Sequence, residues 1–198
     1  AGIANRIGTS HRMYHLLTCN YRPNFTRKKS ALHEAQLNVK LLAPFGIDKH
    51  YLLSELTEFS GFDQLPSLPK KFSDQLSVTK TNIILHPKSQ GSAIEWGVEN
   101  FMKLAKELDP EKYTVFITGT EKEANFFREL LPKQKNVFDL SGKMTLDELI
   151  AFISKADMLV AASTGPLHIA GITGRQTIGL FPNLRPMHAG RWMPLGEK

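Results

Sequence analysis

The sequence predicts an α/β fold: a Rossmann-like parallel sheet with helices on both faces, spanning residues 81–198. Three observations carry this. Short apolar runs recur at Asn82-Ile83-Ile84-Leu85, Tyr113-Thr114-Val115-Phe116-Ile117, Val137-Phe138, Met158 to Ala161 and Thr177-Ile178-Gly179-Leu180-Phe181. Segments with helical spacing separate them, and small or polar residues follow the ends of most runs. Such alternation implies βαβ units and therefore a parallel sheet buried on both faces.

Taken in order, residues 1–29 read as irregular, with a short strand and loop at Asn5-Arg6-Ile7-Gly8-Thr9. Ser30 is the expected N-cap of a helix from Ala31 to Ala43, with Leu32, Ala35, Val39 and Leu42 on one face and Pro44 and Gly46 ending it. His33 and Glu34 fall in its first turn, where Glu34 suits the helix dipole and His33 reads first as a capping or surface residue. Residues 47–80, punctuated by Gly61, Pro66 and Pro69, read as a linker. Beyond it, helices are expected over 98–108, 121–131, 145–155 and 166–173, the third capped by Thr145.

The bulk numbers narrow the function. The chain has 198 residues, enough to bury a core, and 22% charged residues, an ordinary globular composition. Its single cysteine, Cys19, excludes an intrachain disulfide and fits a reducing compartment. No apolar run has the ~18 residues needed to span a bilayer. Before Glu34 stand six positive residues (Arg6, Arg12, Arg22, Arg27, Lys28, Lys29) and no acidic one, which accounts for the formal net charge of +6. That segment suits an anionic partner, or equally a solvated surface. The chain begins Ala1-Gly2-Ile3, without an initiator Met, and reads as a piece of a longer protein.

Ligands of open parallel sheets bind outside the carboxyl ends of the strands. Four turns are expected there. Ser163-Thr164-Gly165-Pro166 follows the fourth strand and opens a helix, where unpaired N–H groups and the helix dipole favour an anion such as a phosphate. His168 lies one turn further on and can reach back to the same anion, although a structural histidine is the usual alternative. Lys88, Ser89, Gln90, Gly91 and Ser92 combine a cation, hydroxyls and a flexible backbone suited to phosphate oxygens, or form an ordinary loop. Thr120, Glu121 and Glu123 follow the second strand, where a carboxylate accepts from ribose hydroxyls; plain helix capping is the alternative. The fourth turn is Phe181 to Arg185, and Pro186 to Trp192 offers groups for base stacking, phosphate pairing or an interdomain loop. No Asp-x-Asp and no His/Cys cluster with ligand spacing occurs, so no dedicated metal site is expected.

In this order, His86-Pro87-x-Ser89, Trp96, Glu99-Asn100-Phe101, Leu140-Ser141-Gly142-Lys143, Leu146-x-Glu148-Leu149 and Ser163 to Ala170 resemble glycosyltransferase family 9, the lipopolysaccharide heptosyltransferases. The resemblance covers residues 81–192 well and the earlier part weakly. It implies the C-terminal, donor-binding half of a GT-B enzyme, truncated at its C-terminus, preceded by residues 1–46 as a remnant of the N-terminal acceptor domain. It further implies metal-independent sugar transfer with inversion, no cofactor, and a nucleotide-sugar donor, by family default ADP-heptose. The acceptor would be an anionic glycolipid or envelope glycan, met in the cytoplasm at the inner face of the inner membrane with peripheral membrane contact; no nucleic acid is expected.

By position, Ser89, with Lys88 as the available cation, would meet donor phosphate, and Thr120 to Glu123 would lie near the ribose. Ser163, Thr164 and Gly165 would offer amides to the diphosphate beside His168, and Arg6, Arg12 and His33 would face the acceptor. The catalytic base falls in the N-terminal domain, outside the matched positions, so this piece alone is expected to be inactive. Two positions depart from the family: Ser163 stands where aspartate is usual, and Ile94-Glu95 where a lysine or arginine commonly precedes the tryptophan. Alternatives are a GT-B nucleotide-sugar epimerase and a non-catalytic basic module binding nucleic acid or other anions.

Overall fold

The computed structural model describes residues 2–28 and 30–196; Lys29 lies outside the described residues. Five parallel strands, β1 (Thr81–His86), β2 (Tyr113–Ile117), β3 (Val137–Asp139), β4 (Met158–Ala162) and β5 (Gln176–Leu180), form one sheet in the order β3-β2-β1-β4-β5. Strand order reverses between β1 and β4, and that is where such a sheet opens a crevice. Each strand expected within residues 81–198 is present to within a residue or so at its ends.

Alternation along the strands builds two cores. Ile83, Leu85, Val115, Ile117 and Val160 point to one face, beneath Val98, Phe101, Met102 and Ala105. Ile84, Phe116, Leu159 and Ala161 point to the other, against Phe152, Ile153, Leu167 and Ala170. The chain before the sheet carries α1 (Met13–Thr18), α2 (Glu34–Val39), α3 (Leu53–Glu58) and α4 (Lys70–Ser73). The crossovers α5 (Val98–Glu107) and α6 (Glu121–Ala124) cover the first face, α7 (Leu146–Lys155) and α8 (Gly165–Ile172) the second, and α9 (Ala189–Trp192) follows β5.

Several expectations shift. The helix expected over 121–131 is the single turn α6 followed by a 3-10 turn at Arg128–Leu130. The helix expected from Ala31 begins instead at Glu34, with His33 as its N-cap. The reason is a reciprocal cap: the His33 ring accepts from the Ala35 N–H at 3.2 Å, and the Gln36 side chain accepts from the His33 N–H at 3.0 Å. Ser30 spends its hydroxyl on the Leu32 N–H at 3.1 Å, a local turn. The helix tightens to 3-10 over Lys40–Phe45, passes through Pro44, and stops at Gly46, whose φ of 80° suits glycine.

Residues 68–76, expected within a linker, pack on the sheet: Phe72 is buried beside Phe152, with Leu68 and Leu76 against the same cluster. Near the N-terminus, Ile7 and Tyr21 form an isolated parallel bridge flanking α1, a helix the sequence reading missed. No residue of α1 is buried, and Met13 and Leu17 are 85% and 92% exposed. Among the described residues, no helix is long and apolar enough to cross a membrane.

Candidate functional site

At the carboxyl ends of β1 and β4 two clefts of about 410 and 400 Å³ adjoin, sharing Ser92, Thr164 and Gly165 as lining residues. One continues to Ser163, His168, Pro182, Arg191 and Trp192, the other to His86, Ser89 and Glu123. Residues from three of the four expected turns, with Glu123 of α6 from beyond the second, therefore meet at the switch point of the sheet.

The floor is the start of α8. Thr164 is its N-cap, in extended conformation, yet its side chain makes no capping hydrogen bond. Its Oγ1 is buried with no protein partner. A buried hydroxyl without a partner costs about 1–3 kcal/mol, so folding alone leaves this atom unsatisfied. Pro166 has no N–H, and the first-turn amides of Gly165 and Leu167 point out of the helix start with its positive dipole end. At the far end, Gly174 turns the chain with a φ of 72° into β5.

His168, on the first turn of α8, lines the same cleft. Burial pushes its pKa down, and the neighbouring His33 pushes it further in the same direction. The neutral form of its ring is thus favoured, able to donate one hydrogen bond. His86 on β1 is likewise held neutral by burial, against an opposing pull from Glu123, and its Nδ1 lies 2.9 Å from Thr118 Oγ1.

The structure separates the remaining expected residues. Glu123 lines the crevice, but its carboxylate accepts from both the N–H and the hydroxyl of Thr120 at 2.8 Å, which completes a capping box. Capping therefore explains Thr120 and Glu123 as they stand. Glu121 pairs with Arg128 at 2.6 and 2.9 Å, and Arg128 also reaches Asp139; neither Thr120 nor Glu121 lines the two clefts. Ser89 lines the crevice, whereas Lys88 does not, and both are engaged by Glu95.

The arginines of the basic N-terminal segment make hydrogen bonds within the molecule, and most of them remain exposed. Arg6 donates to the carbonyls of Ile3 and Thr18 at 2.6 and 2.7 Å, and Arg22 to that of Leu16 at 3.0 Å. Arg12 donates to the Tyr14 hydroxyl at 2.7 Å, on the exposed surface. Arg27 pairs with Glu34 and donates to Asn38 at 2.8 Å. Of these arginines only Arg27 is neutralised, by Glu34, while Arg6, Arg12 and Arg22 keep exposed positive charge for an anionic partner. His33, expected near an acceptor, is buried, and its Nε2 lies 2.8 Å from the Met193 carbonyl.

Sequence reasoning missed the clasp at the back of this site. Arg191, which lines the cleft, is buried and directs Nε and Nη2 to Glu34 Oε2 at 2.8 and 2.6 Å, with Nη1 3.2 Å from the Arg27 carbonyl. Glu34 and Arg191 are 157 positions apart, so no local pattern announces the pair. Residues 191 and 193 thus tie the end of the chain to residues 27–34. Among the described residues, no group of three or more His, Cys, Asp and Glu could hold a metal ion.

A doubly wound sheet whose switch-point crevice ends on a helix start is the architecture of a nucleotide-binding α/β unit. The family model for glycosyltransferase family 9 (heptosyltransferase) matches residues 1–198, and the chain belongs to that family. A Haemophilus influenzae protein named as a glycosyltransferase is 28% identical over the whole chain, which spans 59% of that protein's length. The crystal structure of a family 9 glycosyl transferase from Veillonella parvula superposes with a TM-score of 0.68 at 15% identity, covering 99% of this chain and 56% of that one. The structure of Escherichia coli heptosyltransferase WaaC with ADP gives 0.57 at 14% identity, covering 97% and 56%. These neighbours show the fold, a GT-B half of the family 9 type, as the resemblance implied.

Proposed function

We propose that this chain is the donor-binding part of an inverting, metal-independent glycosyltransferase, and that the start of α8 grips the diphosphate of a nucleotide-sugar. The observation that carries the reading is the buried, unpartnered Thr164 hydroxyl at a helix start, where two clefts meet at the switch point of the sheet. In this reading, an acceptor hydroxyl oxygen bonds to the anomeric carbon as the bond from that carbon to the diphosphate oxygen breaks, the hydroxyl proton passes to the catalytic base, and negative charge grows on the leaving nucleoside diphosphate. The amides of Gly165 and Leu167, the dipole of α8, the Thr164 hydroxyl and the His168 ring stabilise that charge from fixed positions. Pro182, Met187 and Trp192 supply an apolar wall for the base or the sugar.

ADP-heptose is the family's default donor, and the neighbour solved with ADP agrees with an adenine nucleotide. The acceptor is a lipopolysaccharide core or related envelope glycan, approached in the cytoplasm at the inner membrane face, with the exposed apolar side chains of α1 and Arg12 suited to peripheral contact. The catalytic base belongs to the part of a family 9 enzyme outside the positions matched here. Titration calorimetry with ADP, GDP, UDP and their sugars tests the reading. Saturable binding of one nucleotide series is expected, and no binding of any overturns it.

A further inference from the structure

The loop between β1 and α5 carries a second set of anion donors at the edge of the crevice, where Ser89 lines it and Lys88 stands behind, and the chain's own carboxylate occupies it. Glu95 Oε2 lies 2.5 Å from Lys88 Nζ. Its Oε1 accepts from both the N–H and the hydroxyl of Ser89, each at 2.8 Å. Burial raises the Glu95 pKa, but the hydrogen bonds from Lys88 and Ser89 more than offset that and hold the carboxyl below its usual range. An ammonium, a hydroxyl and a backbone N–H converging on two oxygens is the donor set that a phosphate group would use. Ser89 is buried and borders the cleft that contains Thr164, so the occupied cradle adjoins the α8 start. The loop that forms it turns through Gln90 and Gly91 at φ 51° and 79°, which places Glu95 back over Ser89.

We propose that Glu95 is an internal stand-in for phosphate: a specificity-determining residue that competes with the ligand's diphosphate for Lys88 and Ser89. This rests on the donor-site reading above. While Glu95 holds the loop, the diphosphate is gripped from the α8 side alone, and a donor engages Lys88 and Ser89 only by displacing a carboxylate already seated there. The arrangement lowers affinity for the diphosphate common to all nucleotide-sugars, and so leaves a larger share of the discrimination to the base and the sugar.

The experiment is calorimetric titration of ADP into the full chain and its Glu95→Gln and Glu95→Ala variants, with circular dichroism confirming the fold. Glu95→Gln keeps an acceptor for Ser89 but removes the charge that holds Lys88. It should bind ADP about tenfold more tightly, the scale of one charge-assisted hydrogen bond, with a steeper loss of affinity as salt rises. Glu95→Ala provides the same release if the glutamine perturbs the loop. A further Lys88→Met change should abolish the gain. If wild type binds ADP and both variants bind it equally or more weakly, Glu95 is a structural staple and the proposal fails while the donor site stands. If none of the three binds ADP, GDP or UDP, the donor-site reading falls and the proposal with it.

Discussion

In the sheet half, side chains alternate across five strands and fill two cores, with Phe101, Phe116, Phe127 and Phe152 fully buried. Across residues 2–66, by contrast, only Leu37 and Leu56 are buried hydrophobics, while Met13, Leu17, Leu52 and Phe59 stand more than half exposed. Polar contacts join this thin region to the sheet half: Glu34 between Arg27 and Arg191, and His33 on the Met193 carbonyl. One region is held by apolar burial, which is non-directional and tolerant of sequence; the other depends on a few directional contacts, each of which matters singly. The candidate site lies where the two meet, since Arg191 belongs both to the clasp and to the cleft wall.

The largest way to break the comparison is in the core. Phe116 is fully buried, edge-on to Phe152 at 4.9 Å and stacked on Phe138 at 5.6 Å. Phe116→Ala should cost about 3–5 kcal/mol, cavity included, and lower the main denaturant midpoint. A loss below about 1 kcal/mol would mean that the sheet half can collapse around the hole and is less tightly packed than described.

Glu34→Ala tests the other side. It leaves Arg191 buried with no counter-charge and removes the partner of Arg27; breaking a buried pair this way costs about 3–5 kcal/mol. The expected effect is local: faster amide exchange in residues 30–45 and faster trypsin cleavage near Arg27 and Lys28, while the sheet half keeps its midpoint. Unchanged cleavage would assign the attachment to Leu37 and its neighbours instead.

The same contrast explains what could be read from the sequence. The strands and the crossovers α5, α7 and α8 were legible because apolar periodicity over a handful of consecutive residues is what buries them. The crevice followed from parallel topology, and the Ser163 to His168 turn from the chemistry of a helix start. Helix α1 was not legible, because Met13, Leu16 and Leu17 are exposed and mark no buried face. Nor was the capture of Lys88 and Ser89 by Glu95, since charge and spacing alone cannot say whether a cation awaits a ligand or already holds a carboxylate. The start of α2 at Glu34 was missed for a similar reason, although capping was one reading of His33: it depends on Gln36 folding back, not on the identity of the first polar residue.

The smallest expected change is the most diagnostic for function. Thr164 makes no capping bond and keeps its hydroxyl buried and unpartnered, so for folding alone the hydroxyl is a liability. Thr164→Val preserves the β-branched shape in an extended backbone with φ of −129°, and removes only the polar atom. Stability should therefore hold or rise, by up to about 1 kcal/mol. Nucleotide binding should weaken by roughly tenfold, the worth of a lost hydrogen bond to a charged phosphate. Thermal melts and calorimetry on one preparation read both signs. A joint loss of stability and binding would make Thr164 part of the scaffold. Gain in one with loss in the other identifies a group held against its own folding interest, which apolar packing elsewhere in the sheet half has stability enough to carry.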